Sequence, residues 1–434
     1  MKMRPFQVAL LGGFAFLALA ALFLLNNYSP SSSEEEYAYG DSVEIWGTLS
    51  EDVIENQITA ATKNNPGLGV VNYTQKDERT FDDDLINALA EGNPPDLLLM
   101  PAGQLVKHRS KLLPIPYESF PVRDFKDAYI DAADIFMFTE GVYAIPFAMD
   151  PIILYWNRDL FSTKGLAQPA QTWEAMVTNI VPVLTERDSR RTILKSAIAF
   201  GEYRNVNNAE GIMLSLMLQS GSRMITEASK GYTVGLNSGL NESTKEPLTS
   251  SLQFYTDFSN PNSPLYSWNR SLPLDRNAFI SGDLAVYFGF GSEVRSIAEK
   301  NPNLNFDVAV IPQGSGATVR RTYAQVLGFS IPKASDNVTG AYAVARLLAS
   351  PGLSKPIIDQ FGLTPVHREL LSGSDLNQYQ RITHESAFFA RDWLNPDVEA
   401  SHNIFSVMIE DVVSNRARPS DSADDAEGRL RLQF

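Results

Sequence analysis

Residues with catalytic or metal-binding chemistry are few and scattered in this chain. Cysteine is absent, which excludes disulfides, thiolate metal sites and cysteine nucleophiles. The four histidines, His108, His367, His384 and His402, do not pair at a metal-ligand spacing. Gly-x-Ser-x-Gly, His-Glu-x-x-His and Walker motifs are also absent, and the single His384-Glu385 pair is interpreted as part of a helix surface. We therefore expect no catalysis, no metal and no cofactor.

Acidic residues are plentiful, and such residues could serve glycoside cleavage or calcium binding. A pair of carboxylates for glycoside cleavage is an alternative that composition does not remove, because the spacing of acids in the fold is invisible in the sequence. Asp82-Asp83-Asp84 lacks the following oxygen ligands of a calcium loop and is interpreted as a solvated helix start.

Composition indicates a large folded body. The chain has 434 residues, of which 44% are apolar and 20% charged, so it has ample material for a packed core and is not mainly disordered. The net charge is −15 and the isoelectric point is near 4.8. Because a general nucleic-acid binder needs a basic face, this balance excludes that class.

The N-terminus predicts a membrane anchor at residues 1–25. Lys2 and Arg4 precede residues 8–25, which carry no charge. As a helix, that apolar run would span about 27 Å, close to the thickness of a hydrocarbon core. The basic flank should stay inside, which makes this a single-pass protein of the cell membrane with its body outside. A signal peptide cleaved at 18–20 is the alternative, but the apolar run continues beyond that position.

A tether and an α/β body follow the anchor. Residues 26–40 are polar, acidic and serine-rich, as expected of a solvated linker. Strands and helices then alternate as β-α-β-α-β, a pattern typical of a parallel sheet covered by helices. The predicted strands are 42–46, 70–73 and 97–100, and the predicted helices are 51–64 and 81–91.

Further elements are predicted downstream. The apolar stretches 141–150 and 151–157 predict two strands interrupted by prolines, and residues 418–433, which are highly charged, are expected to fray. The remaining predicted strands are 284–288, 308–311 and 327–331, and the remaining predicted helices include 209–218 and 341–348.

Seven short motifs occur in one characteristic order between residues 41 and 370. They are 43–46 (VEIW), 88–97 (ALAEGNPPDL), 143–147 with 154–161 (YAIPF and LYWNRDLF), 172–174 (TWE), 279–286 (FISGDLAV), 311–312 (IP) and 362–366 (GLTPV). In this order they resemble the extracellular solute-binding proteins of ABC importers, the group that includes maltose- and other sugar-binding receptors. Two departures are the missing lipidated cysteine and the absence of a basic residue and a methionine in 279–286, where Asp283 and Val286 stand.

The resemblance implies a type II periplasmic-binding-protein-like fold, with two α/β lobes joined by a hinge. The expected lobes are 41–148 plus 312–350, and 149–311 plus 351–434. The implied function is capture of a small solute, with a carbohydrate as the first candidate, and delivery to an ABC permease. A cell-surface sensor or adhesin without a permease is the alternative, and a glycoside hydrolase is a further one.

A sugar has an apolar ring face and a rim of hydroxyls, so its site needs flat aromatic rings beside planar polar groups. Trp46, at the end of the first predicted strand, and Trp393 are aromatic candidates, although a core position is the alternative for a strand tryptophan. Asp150 lies at the implied hinge, where the resemblance suggests a carboxylate that binds hydroxyls. Its alternative is a turn or helix-cap aspartate before Pro151.

The remaining candidate residues lie in a loop, a turn and a strand. Tyr203 and Asn208 belong to the polar loop 201–208, which leads into a helix that Asn207 or Asn208 would otherwise cap. Gly289 and Phe290 lie at a strand end where backbone can approach a ligand, although a plain turn is the alternative. Gln325 precedes the strand 327–331 and is a further candidate.

Overall fold

The computed structural model describes residues 42–65, 70–241, 244–373 and 375–434. The predicted anchor, 1–25, and the predicted tether, 26–40, lie outside these residues. Among the helices that are described, none combines the length and the apolar character needed to cross a membrane.

The described strands are numbered in chain order. They are β1 (Ser42–Gly47), β2 (Val70–Gln75), β3 (Leu97–Pro101), β4 (Met137–Phe138), β5 (Gly141–Val142), β6 (Ile145–Asn157), β7 (Glu186–Arg187), β8 (Ile193–Ile198), β9 (Ser222–Glu227), β10 (Tyr232–Gly239), β11 (Leu284–Phe290), β12 (Phe306–Ala309), β13 (Thr322–Ser330), β14 (Thr364–Pro365) and β15 (Ala390–Arg391).

The α-helices in the described part of the chain are also numbered in chain order. They are α1 (Glu51–Asn64), α2 (Phe81–Glu91), α3 (Leu105–His108), α4 (Val122–Ala128), α5 (Arg158–Thr163), α6 (Trp173–Ala175), α7 (Val181–Leu184), α8 (Ala209–Gln219), α9 (Pro247–Thr256), α10 (Asp275–Ser281), α11 (Glu293–Lys300), α12 (Val338–Leu348), α13 (Pro351–Phe361), α14 (Arg368–Leu371), α15 (Gln378–Ala387), α16 (Val398–Val413) and α17 (Pro419–Arg431).

The first lobe is built on the parallel strands β2-β1-β3. Ile45 of β1 pairs with both Tyr73 and Leu97, which places β1 between its two neighbours. β3 has buried side chains on both faces, as a central parallel strand requires. α1 and α2 bury their apolar faces in the same core. The predicted β-α-β-α-β unit is therefore confirmed, with both helix boundaries at the predicted residues.

The two lobes share one sheet. Its order is β2-β1-β3-β13-β6-β11-β8-β7, with β12 and β14 paired to β6 and β15 paired to β13. β6 pairs with β13 through Pro151 and with β11 from Ile152 onward. β6 and β13 thus carry the sheet from the first lobe into the second, whose strands in this sheet are β11, β8, β7 and β12.

The prediction of two strands across residues 141–157 was wrong, because β6 is one buried strand of 13 residues. Its two prolines lie where the pairing is already irregular. Pro146 is next to the register shift between Leu327 and Gly328, and Pro151 ends the pairing with β13. A proline lacks only its own N–H donor, so the strand continues through positions where that donor is not needed.

The C-terminal segment is also better ordered than expected. Residues 418–433 were predicted to fray, but α17 buries Ala423, Ala426 and Leu430. It packs against α16 and against β10 of the second lobe. α13, which the predicted boundaries assign to the second lobe, packs against α1 of the first. The predicted lobe limits stay a prediction.

Candidate functional site

A cleft of about 1010 Å³ lies between the two lobes, beside the strands that join them. The first lobe contributes residues of α2 and α3, the second contributes the loop 203–208 and α8, and α16 contributes one side. β13 supplies Tyr323 and Gln325, and β11 supplies Phe290. Because both lobes line it, the volume of this cleft depends on how far the lobes are apart.

Two aromatic rings form part of the cleft lining. The ring centroids of Phe290 and Tyr323 are 6.4 Å apart at an angle of 62°. The start of α8 lies close to Tyr323, since a Cβ added to Gly211 would be 3.2 Å from Tyr323 Cδ1. The hydroxyl of Tyr155, on β6, donates to the carbonyl oxygen of Phe290 and fixes the end of β11 beside the hinge.

Tyr203, Glu210 and His402 form a polar group in the same cleft. The Tyr203 hydroxyl is 2.9 Å from His402 Nδ1, and the tyrosine is 7% exposed. Burial raises the pKa of Glu210 to about 7, although its hydrogen bond with Tyr203 acts in the opposite direction. Burial also raises the pKa of Tyr203. Near neutral pH, Glu210 therefore exchanges a proton and can either accept or donate a hydrogen bond.

Asn208 joins the start of α8 to β11 and to the first residue of α11, all within the second lobe. Its Nδ2 lies 2.9 Å from the Tyr287 hydroxyl, 3.2 Å from the Phe288 carbonyl oxygen and 3.1 Å from Glu293 Oε1. Although Asn208 precedes α8, its side chain makes no capping hydrogen bond. The side-chain amide of Asn208 therefore forms its hydrogen bonds with residues of β11 and α11, and it does not cap α8.

The cations along the cleft are paired with acids of the chain itself. Lys107 Nζ is 2.7 Å from both Asp82 and Asp397. Arg204 forms an ion pair with Glu410. In the described part of the chain, no three His, Asp or Glu side chains are arranged to hold a metal ion. The groups that face the cleft are thus suited to hydrogen bonding and ring stacking.

Four of the eight predicted site residues come together in this cleft. They are Tyr203, Asn208, Phe290 and Gln325. The other four, Trp46, Asp150, Gly289 and Trp393, do not line it.

Both tryptophans have other surroundings. Trp46 is half-buried on β1, with Lys76 Nζ 3.7 Å from the ring centroid. Trp393 is 2% exposed, and its ring meets Phe405 edge-on at 5.9 Å. Trp393 is therefore a core residue, which was the alternative to a place in the ligand site.

Asp150 and Gly289 are buried next to the cleft. Asp150 Oδ1 accepts a hydrogen bond of 3.1 Å from the Ser292 amide, and burial raises the pKa of Asp150 to about 7. Gly289 is in close contact with Tyr287, since an added Cβ would be 2.5 Å from Tyr287 Cε1. Its small size is needed for packing inside the second lobe.

Sequence reasoning missed Glu210, Tyr323 and His402. Tyr323 is two residues before Gln325, so the two share a face of β13, and the period of a strand would have identified it. Glu210 follows Asn208 by two residues, but its position resembles any acidic first turn of a helix. His402 carries no local signal, because it reaches Tyr203 from a helix almost 200 residues away.

Solved structures with the same fold cover most of the chain. A cyclo/maltodextrin-binding protein complexed with maltotetraose matches with a TM-score of 0.73 and 17% identity, over 90% of this chain and 97% of that one. A cyclic α-maltosyl-1,6-maltose binding protein from Arthrobacter globiformis matches with a TM-score of 0.74 and 16% identity, over 90% and 98%. The two-lobed periplasmic-binding-protein-like fold is therefore confirmed.

Sequence comparison indicates the same group. Chains of Brucella abortus and Brucella suis that are named as binding proteins are 21% identical over 438 aligned residues, which cover 99% of this chain and 98% of theirs. The profile of the bacterial extracellular solute-binding proteins matches residues 56–383, about three quarters of the sequence. The chain belongs to the bacterial extracellular solute-binding protein family.

Proposed function

We propose that this protein captures a small solute, specifically a carbohydrate, in the cleft between its lobes and delivers it to an ABC permease. The observation that carries the proposal is the cleft itself, which both lobes line beside the two strands that join them. A solute that contacts both lobes at once favours the closed arrangement over the open one. Binding therefore increases the population of the closed arrangement at the expense of the open one.

The residues of the cleft support a carbohydrate as the ligand class. Tyr203, Phe290 and Tyr323 provide aromatic surface for the apolar face of a sugar ring. Gln325 and Glu210 provide planar polar groups for hydroxyls. The cyclo/maltodextrin-binding protein that shares this fold is complexed with maltotetraose, which is in keeping with this ligand class.

The family and the N-terminal sequence support the proposed location and the proposed partner. Residues 1–25 would hold the protein at the cell membrane, and 26–40 would tether the acidic body outside. Bound and free forms would differ in lobe position, so a permease in the same membrane would distinguish them by shape. No catalytic step is part of this mechanism.

The test is a thermal-shift screen of the full chain in a detergent without a sugar headgroup. The compounds are mono- and oligosaccharides, polyols, amino acids, peptides and phosphate. A ligand of the native state adds about 2.7 kcal/mol to the free energy of unfolding at a hundredfold excess over its dissociation constant. We expect the melting temperature to rise with a saccharide.

A matched pair of variants assigns the binding to this cleft. Gln325→Ala removes a planar amide from the cleft, and Gln253→Ala removes the same group from an exposed position on α9. Calorimetry should show that Gln325→Ala lowers the affinity for the saccharide about tenfold, which corresponds to 1.4 kcal/mol. The affinity of Gln253→Ala should equal that of wild type. Equal affinity in both variants would contradict the placement of the site.

A further inference from the structure

The cleft contains more acids than the chain itself neutralises. Its lining includes five Asp or Glu side chains against three Lys or Arg side chains. Each of these cations already forms an ion pair with an acid of the chain, and the pairs are Arg79 with Asp77, Lys107 with Asp82 and Asp397, and Arg204 with Glu410. Because no cation of the described lining is free, a carboxylate or phosphate of a ligand would have to compete with these pairs.

The other four acids of the lining have no cation partner. Glu78, Asp83, Glu210 and Glu399 form no ion pair within the residues that the structure describes. Glu78, Asp83 and Glu399 are exposed, so water solvates their charges. Glu210 is half-buried, and water solvates it less completely. Among these four acids, Glu210 is therefore the one whose charge is both unpaired and shielded from water.

Glu210 lies in the first turn of α8, between groups that do not supply a positive charge. The hydrogen bond with Tyr203 favours its charged form, but burial outweighs that bond and raises the pKa of Glu210 to about 7. His402 contacts the Tyr203 hydroxyl at 2.9 Å and forms no ion pair with the carboxylate. A carboxylate that is partly removed from water without a counter-charge costs free energy. A cation on the ligand would remove that cost.

Aromatic rings lie around this carboxylate. Tyr203 and Tyr323 both interact with the charge of Glu210, and the ring of Phe290 is 6.4 Å from that of Tyr323. The face of an aromatic ring attracts a cation electrostatically, and it also stacks on the apolar face of a sugar. This part of the cleft is thus suited to a ligand that combines a positive charge with a sugar ring.

We infer that the cleft selects a saccharide that carries a protonated amine, and that Glu210 binds the amine. The inference rests on the proposed function, because it names one class among the carbohydrates proposed for the same site. An ammonium group donates charge-assisted hydrogen bonds to a carboxylate, and these are stronger than the bonds of a neutral hydroxyl. A neutral sugar would leave Glu210 without a counter-charge, and an anionic sugar would meet four unpaired acids.

The bound amine also keeps Glu210 ionised. A positive charge beside a carboxylate favours the charged form and so lowers the pKa of that group. The complex therefore contains a carboxylate–ammonium pair at neutral pH, while Gln325 remains in the same cleft for hydroxyls of the ligand.

The experiment compares three trisaccharides by calorimetry with the full chain at neutral pH. They are cellotriose, the glucosamine trisaccharide with the same linkage, and its N-acetylated form. Because every ring of the second compound carries an amine, one amine can reach Glu210 whichever ring lies beside it. Glucose, glucosamine and N-acetylglucosamine repeat the comparison without any linkage between rings.

Three variants assign the effect to one carboxylate. Glu210→Gln removes the charge and keeps the shape of the side chain. Glu210→Asp keeps the charge but withdraws it by one methylene group. The matched control is Glu369→Gln, which removes the same charge from the first turn of α14, outside the cleft lining.

We expect wild type and Glu369→Gln to bind the amine-bearing trisaccharide about tenfold more tightly than cellotriose, as one charge-assisted hydrogen bond would give. The N-acetylated form should have no such advantage. In Glu210→Gln the advantage should disappear, and Glu210→Asp should retain part of it. Added salt should weaken binding of the amine-bearing ligand and leave that of cellotriose unchanged.

Two results would overturn the inference. One is a wild-type affinity for the amine-bearing compounds that is no greater than for the neutral ones, binding of neither included. The other is a preference for the amine that survives in Glu210→Gln. Binding of cellotriose or the N-acetylated form in either case leaves the proposed function intact.

Putrescine separates the amine from the sugar, because it carries amines without a ring or hydroxyls. We expect it to bind more weakly than the glucosamine trisaccharide. Equal or tighter binding of putrescine would show that the sugar contributes nothing, and it would overturn the amine-bearing saccharide together with the proposed carbohydrate.

Discussion

Asp150 in β6 lies directly opposite Gln325 in β13, at the place where both strands pass from the first lobe to the second. The two side chains have different surroundings. Gln325 lines the cleft, whereas Asp150 is buried and accepts a hydrogen bond from Ser292, the residue just before α11. One register pair therefore connects the cleft side of the hinge to the packing of the second lobe.

Asp150→Asn should change how stability depends on pH. The native carboxyl holds its proton up to a pKa of about 7, against 3.8 for the ordinary group. Between these values the unfolded chain releases a proton that the native state keeps, so the free energy of unfolding falls as pH rises. The asparagine does not titrate, so we expect its stability relative to wild type to increase by about 2–3 kcal/mol between pH 5 and pH 8.

Urea unfolding at pH 5 and pH 8 measures this effect. At pH 5 the native carboxyl is neutral but the unfolded one is already largely ionised, so the difference between the two proteins should be present but smaller than at pH 8. Asp421→Asn, at a far more exposed position, serves as the control. A difference between Asp150→Asn and wild type that is the same at both pH values would contradict the raised pKa.

Glu210→Gln should remove a pH dependence of ligand binding. Burial raises the pKa of Glu210 to about 7, with Tyr203 and Tyr323 as its neighbouring titratable groups and His402 beyond Tyr203. A hydroxyl that donates to this group binds the charged carboxylate more strongly than the neutral acid, so wild-type affinity should increase from pH 6 to pH 8 and protons should be released on binding. Calorimetry in two buffers of different ionisation enthalpy measures both quantities.

The glutamine variant should give a flat profile over the same range and no buffer-dependent heat. Glu399→Gln, which changes another acid of the cleft lining on α16, is the matched control and should keep the wild-type slope. The same slope in wild type and in Glu210→Gln would assign the titration to a different group.

Asn208→Ala should destabilise the protein even without ligand. The change leaves the Phe288 carbonyl oxygen and the Glu293 carboxylate without the donor they now share. Loss of a partner for buried polar groups costs about 1–3 kcal/mol. Thermal unfolding measures it, and Asn207→Ala, at the exposed neighbouring position, should be close to wild type. Equal melting temperatures would show that the amide is not holding α8 in place.

Gly201→Ala should disturb the loop that carries Tyr203 and Asn208. Gly201 has a φ of +93°, and an added Cβ would be 2.6 Å from Ser259 Oγ. Both the left-handed backbone and the collision oppose a side chain, so we expect a loss of about 2–4 kcal/mol in the free energy of unfolding. Saccharide affinity should fall as well.

Gly165→Ala separates the two causes of that loss. Gly165 also has a positive φ, of +72°, but no atom lies within 4 Å of an added Cβ. It should therefore show only the backbone cost, about 1 kcal/mol. Similar losses at the two positions, by denaturant unfolding, would mean that contact with Ser259 contributes nothing.

Local sequence patterns predict the first lobe well. β1, α1, β2, α2 and β3 follow from the spacing of apolar residues, because each element buries one face or both in a nearby core. The limit appears at β6, where Pro146 and Pro151 look like strand breaks. Whether a proline interrupts a strand depends on the partner at that position, and the partners β11 and β13 are distant in sequence.

The cleft was predictable only in part for the same reason. Phe290 is the last residue of β11 and Gln325 lies within β13, and local patterns locate both strands. Trp393 is of a residue type expected in a sugar-binding site, yet its contact with Phe405 of α16 places it in the core. Whether an aromatic ring faces a cleft or a core is decided by elements that pack against it from elsewhere in the chain.

The strands β6 and β13 also determine how the molecule unfolds. Each lobe contains segments from widely separated parts of the sequence, and both lobes use these two strands as part of their cores. Melting of one lobe would expose β6 side chains on which the other depends. Heat or denaturant should therefore unfold the whole body in a single cooperative transition, and no cut at one position should release a lobe that is stable alone.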